Sequence, residues 1–418
     1  MKTISLLLTL CVTFTLTMGK AFAEWPDYRG PSQNGISTVK SAPTNWSEEQ
    51  NIAWKTALPG RAWSSPVILD GQIWVSTASE DGKKLGALAV DLLTGKIIHQ
   101  LHLFDVAKPV KWRYAGDMQS YGSPSPVIEA GRVYVTFGND GTACIDTKSG
   151  KVLWQRQDIN ADHMEGAGSS PVLYKDLLIL TMDGGDVYYN IALNKATGKT
   201  AWKTNRSINF GSTVPDRRKA FCTPIFHKGK AGMEMIIPAA QAVYGLQPET
   251  GKELWRADYN NNGFSVGCRP VLAGDSVVLS TGYTHPEMLS VKLGKHGNVT
   301  DAITWRDHRG VPAIPSPIVV NNQIYTVDEK GFITCRQPSD GKILWKGRLE
   351  NKFASSPVYA AGHLYFFDQS GTAHIIKPGD SLNVVARNRL AGGFMSSPAV
   401  IEGALIVRSK THLYRIGQ

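Results

Sequence analysis

Cysteine, clustered charge and long apolar runs are all scarce in this 418-residue chain, and each scarcity removes a class of protein. The five cysteines, Cys11, Cys144, Cys222, Cys268 and Cys335, include no Cys-x-x-Cys pair and no zinc spacing. A disulfide-framework domain is therefore excluded. Beyond residue 23 no apolar stretch is long enough to span a bilayer as a helix. The formal charge is +10, but Lys and Arg are scattered and the densest group is Arg217-Arg218-Lys219. Scattered charge of this kind argues against a nucleic-acid partner. No phosphate loop, His-Glu-x-x-His helix or Ser-His-Asp arrangement is present, so no catalytic residue is singled out.

The first 23 residues, MKTISLLLTLCVTFTLTMGKAFA, place Lys2 before an apolar core and end in Ala-Phe-Ala. They read as a signal peptide cleaved after Ala23, which puts the protein in the periplasm or outside the cell. Leu10 is bulky where lipidation at Cys11 would want a small residue. Removing Lys2 and Lys20 lowers the charge from +10 to +8. The remainder divides into an N-terminal extension, 24–50, and a repeat array, 51–418.

The array is marked by prolines 66, 126, 171, 224, 270, 317, 357 and 398. A short apolar run follows each, then a turn pair such as Asp70-Gly71 or Ala361-Gly362, then a second run such as VYVTF (133–137). Two runs about a tight turn make a hairpin. Two further strands follow, as in ACIDTKSGKVLW (143–154) and VYGLQPETGKELW (243–255), with a Gly-Lys turn and a terminal Trp. Four short strands recurring at this period predict an all-β fold, an eight-bladed β-propeller of four-stranded antiparallel blades. The last unit supplies only three strands, whereas NIAWKTAL (51–58) is an outer strand with no unit of its own. The N-terminal strand is therefore expected to complete the last blade, a 3+1 closure that leaves no open edge. A single closed ring is expected to be a monomer. WPDYRGPSQNGIST (25–38) falls outside the count and is expected on the outside of the ring or across one end.

The A-x-D-x-x-[ST]-G-K-x-x-W pattern, seen at Ala143 to Trp154, resembles the repeat of the pyrroloquinoline-quinone-like (PQQ-like) propeller superfamily. That resemblance covers nearly the whole mature chain. It implies the fold, but the superfamily holds both quinoprotein dehydrogenases and the non-catalytic scaffold lipoprotein of outer-membrane-protein assembly. Function has to be argued from the site.

In such a ring the loops preceding each proline cluster round one mouth of the channel. Those loops carry Arg61, Trp63, Tyr121, His163, Glu165, Arg217, Arg218, Phe264 and Arg309, with Phe353 and Phe394. Aromatics stack on planar ligands and guanidiniums pair with carboxylates, so the set suits a planar or anionic ligand. The competing reading is that the aromatics plug the funnel. Seven of the eight residues before the prolines are Ser or Thr, whose hydroxyls can satisfy backbone groups between crowded inner strands, and the eighth is Arg269. Arg269 is either a functional cation at the mouth or half of a salt bridge, to Glu165 or Asp216. Cys222 and Cys268 take equivalent places in adjacent units, as two buried thiols or, less favoured, a disulfide.

The favoured function is an exported, non-catalytic propeller presenting its mouth to an envelope protein, peptide or glycan, with no cofactor. One alternative is a small quinoprotein dehydrogenase, holding PQQ and Ca²⁺ with Arg217, Arg218, Arg269 and Arg309 near the quinone carboxylates. For it Glu165 and Asn262 are the metal-ligand candidates, but no adjacent Cys pair occurs. The other alternative is a polyanion- or glycan-active surface protein.

Overall fold

The computed structural model describes residues 24–112, 120–210, 213–259 and 263–417. These form eight antiparallel sheets of four strands arranged as propeller blades, and only three short 3-10 turns interrupt them. Blade 1 is typical: Val67–Leu69, Gln72–Ala78, Lys84–Asp91 and Ile97–Asp105 run from the axis outwards. Its second and third strands are almost wholly buried, whereas the fourth alternates between covered and exposed. That contrast is the signature of a sheet covered on both faces near the axis and wetted at its rim.

Closure follows the 3+1 expectation. Ile52–Ala57 pairs antiparallel with His412–Gly417, so the first strand is the outer strand of blade 8. Blade 5 departs from the pattern. Its lengthened segment sends Gly297–Asn298 to pair in parallel with Glu253–Asp258 as a fifth strand on blade 4.

Successive blades are joined by the fourth-strand tryptophans. Trp154, Trp202, Trp305 and Trp345 donate their indole N–H to the carbonyls of Lys195, Pro248, Pro338 and Gly379, each at 2.8–3.1 Å in the next blade. His99 makes the same reach to Thr147 O at 3.2 Å. Trp54 does so across the closing seam, to Leu92 O at 3.0 Å in blade 1. The turn glycine beneath the ring is required: at Gly95, φ +71°, a Cβ would stand 2.6 Å from the Trp54 indole. Trp255 is the exception, its N–H bonding Glu234 Oε2 at 2.8 Å within its own blade.

Around the axis a collar of hydroxyls ties the inner strands. The amides of seven of the eight pre-proline residues donate to the hydroxyl of the counterpart in the next blade: Ser65 to Ser125, Ser125 to Ser170, Ser170 to Thr223, Arg269 to Ser316, Ser316 to Ser356, Ser356 to Ser397 and Ser397 to Ser65, all at 2.9 Å. The expected use of these hydroxyls is borne out. At the seam between blades 4 and 5 Arg269 stands in for the hydroxyl, and its Nε and Nη2 donate to Pro224 O at 3.0 and 2.7 Å.

Candidate functional site

The extension corrects the sequence reading most. Trp25 exchanges both backbone bonds with Ile68 of blade 1 at 2.9 Å, and Pro26 O accepts from Ile128 of blade 2. Asp27 meets Arg269 of blade 5, Tyr28 Oη lies 3.0 Å from Ser356 Oγ of blade 7, and Gln33 Oε1 accepts from Phe226 of blade 4. Only a segment that crosses the axis can touch inner strands on opposite sides of a ring. Residues 25–37 therefore cross the axis, with Trp25 and Arg29 buried and Pro31 and Ser32 exposed, so of the two expected placements the outside of the ring is excluded. The chain leaves at the hairpin-turn end, where the Ser41 amide and hydroxyl bond Glu402. Sequence reasoning missed this because the segment has no periodicity; its density of Trp, Asp, Tyr and Arg was the available signal.

Arg269 is corrected with it. The side chain is fully buried beneath the mouth, its Nη1 3.0 Å from Asp27 Oδ1 and also bonded to Tyr28 O. The salt-bridge reading holds, but the partner is Asp27, not Glu165 or Asp216. Those two acids instead clamp Lys219, which is 2 % exposed, with Asp216 Oδ1 at 2.5 Å. The long loop carrying Lys219 is anchored at its start by a bidentate, buried Arg206–Asp183 pair, 3.0 and 2.7 Å.

Of the other mouth candidates, Arg61, Trp63 and Tyr121 do come together. The Arg61 guanidinium lies 5.7 Å from the Trp63 ring and 5.0 Å from that of Trp112, and the Trp112 and Tyr121 rings pack 4.4 Å apart, tilted by 33°. All four side chains are half-buried, and Trp112 was not among the candidates. Arg309 is exposed but chelated by Asp307, 2.9 and 3.1 Å. Burial works against ionisation of Asp307, yet Arg309 and the fully buried Arg336 hold its carboxyl well below the usual range. Arg217 is exposed on a 3-10 turn, and Arg218 is half-buried, 5.5 Å from the Tyr188 ring. Phe264, Phe353 and Phe394 are buried, as the plug reading has it.

His163 is 4 % exposed, and neither ring nitrogen has a hydrogen-bond partner among the described residues. Desolvation pushes it down to about 4, although Asp186 and Asp162 pull the other way. Cys222 and Cys268 are separate buried thiols, Cys222 Sγ donating to Cys268 O at 3.1 Å rather than bridging. Burial raises both thiols, Cys268 well above its ordinary value. Asn262 lies outside the described residues.

This donor set does not fit the quinone reading. Of the four arginines it needs, Arg269 is spent on the channel segment and Arg309 on Asp307. The metal candidate Glu165 is neutralised by Lys219, and among the described residues no three acidic, His or Cys side chains converge as a metal-binding group.

A family model described as outer membrane protein assembly factor BamB matches residues 99–231 and 239–380, well over half of the sequence. The chain belongs to that family. It is 22% identical to the tetrathionate hydrolase of Acidithiobacillus ferrooxidans over 92% of this chain and 83% of that protein. It is 28% identical to BamB of Salmonella typhimurium over 28% of this chain, which is 31% of the relative's length. Quinohemoprotein alcohol dehydrogenase from Comamonas testosteroni superimposes with a TM-score of 0.67 at 11% identity, covering 94% of this chain and 80% of that one. At that identity the likeness establishes the propeller fold alone.

Proposed function

We propose that the protein is an exported, non-catalytic binding or scaffold protein of the bacterial envelope, and that its partner is an extended peptide segment of an envelope protein. The observation that carries this reading is the occupation of the axis. Residues 25–37 cross the axis, and Lys219, Arg269 and Arg309 are already matched by acids. The mouth surface remains, where Arg61, Trp63, Trp112 and Tyr121 offer rigid aromatic area beside a cation. Such groups give contact area at low entropic cost and recur at the centres of protein interfaces. The family description, outer membrane protein assembly factor, supports an envelope partner.

The test is titration of the mature protein with unfolded outer-membrane-protein peptides, read by tryptophan fluorescence, with Trp63→Ala and Arg61→Ala in parallel. Each substitution should weaken binding at least tenfold while leaving the melting temperature within a few degrees. Equal binding by wild type and both variants would move the interface elsewhere. Saturable binding of oligosaccharides at the same residues would favour the glycan reading. A quinone absorption band retained through gel filtration with Ca²⁺ would overturn the proposal.

A further inference from the structure

The axial segment carries a cation that forms no salt bridge among the described residues. Arg29 is 1 % exposed, and its Nε and Nη1 have no hydrogen-bond partner among the described residues. A guanidinium has five N–H donors; here Nη2 donates to Asn34 O at 2.6 Å. Burial lowers the group only to about 10, with neighbouring Arg269 adding to the effect, so at neutral pH it stays charged. The backbone there is also strained, with φ +66° at Arg29. The guanidinium lies over Gly35, where a Cβ would come within 2.8 Å of Nη2.

The groups that act on Arg29 include no acid, and the buried carboxyl of Glu329, on the far side of Cys268, is raised by its own desolvation. Arg269 is held by Asp27, Tyr28 O and Pro224 O, which leaves two guanidiniums and one carboxylate in the plug. Cys268 senses Arg29 electrostatically, but its thiol is neutral because burial raises it. An unpaired buried cation of this kind costs several kcal/mol unless a counter-charge accompanies it.

We infer that Arg29 holds a small monovalent inorganic anion of chloride size, enclosed between the axial segment and the inner strands and trapped when the segment docks. One negative charge neutralises the residual single positive charge of Arg29, Arg269 and Asp27, and it can accept from Nε or from Nη1, the unpartnered donors on two different edges of the guanidinium. This site is separate from the mouth surface, so it stands or falls independently of peptide binding.

Two measurements on the mature protein test it. The first is the melting temperature at fixed ionic strength as gluconate is replaced by chloride or bromide. Halide at a hundredfold excess over its Kd should raise the midpoint by about 3 °C. Arg29→Gln, which keeps polar reach without charge, should remove that dependence. The second, which needs no variant, is a crystal grown in bromide, with an anomalous peak expected within hydrogen-bond distance of Arg29 Nε or Nη1. A halide response retained in Arg29→Gln, or no response in wild type, would overturn the inference, as would water-like density without anomalous signal.

Discussion

Replacing Arg269 with Ser would give the fifth blade the hydroxyl that the other seven carry, so on the repeat pattern alone it should stabilise the ring. The structure predicts the opposite. The change deletes the guanidinium from Asp27, whose remaining side-chain bond is from Gln33 Nε2 at 2.8 Å, and removes both bonds to Pro224 O. Breaking a buried pair by removing one partner costs about 3–5 kcal/mol. A new hydroxyl bond across the seam returns about 1 kcal/mol, and Arg29 gains from losing a like charge. A net loss of about 2–4 kcal/mol follows. Asp27→Asn should cost at least as much, because two guanidiniums then share the plug without an acid. The double variant should lose far less than the sum, with a coupling energy of about 2 kcal/mol or more. The assay is urea denaturation of the mature protein followed by tryptophan fluorescence, with peptide titration of each folded variant alongside. Additivity within about 0.5 kcal/mol would refute the pair as the reason for the arginine. Arg269→Ser that folds normally but no longer binds peptide would return this residue to the mouth.

His163 should make the protein acid-labile. Its folded value of about 4 lies below the unfolded 6.5, so only the unfolded state takes up a proton between the two. The contribution is therefore fully present above pH 6.5 and is lost as pH falls towards 4. It amounts to about 3 kcal/mol at most, and His163→Leu should flatten that part of a stability–pH profile relative to wild type. Trp54→Ala removes the indole that docks on Gly95 across the closing seam, so a loss of about 3 kcal/mol and faster proteolysis at the N-terminal strand are expected. Trp345→Ala, a seam elsewhere in the ring, should cost a similar amount without exposing that strand. Deleting residues 24–38 should leave eight blades by circular dichroism but open the axis, read as dye binding and a lower melting temperature.

The blades were legible in the sequence because each repeats one local rule. A small residue and proline start an inner strand, a turn glycine is needed beneath an indole, and a Trp sits at a fixed offset from a Gly-Lys turn. Rules of this kind depend on neighbours in the chain or in the next unit, and eight copies reinforce them. The unpaired strand at 51–58 likewise announced the closure, since counting in fours leaves one strand over at the N-terminus and the last unit one strand short. The destination of WPDYRGP was not legible, because a segment without periodicity carries no sign of which surface it covers. Asp27 and Arg269 stand 242 positions apart and become partners only when the ring closes round the axis. The same holds for the mouth: Arg61 and Trp63 share one loop and Tyr121 lies on the next, but the packing of blades decided that they meet and that Glu165 goes to Lys219, whereas Arg309 and Asp307 are a local pair two residues apart. Local periodicity fixed the ring, whereas the pairing of charges at its centre was settled by distances that only the assembled ring defines.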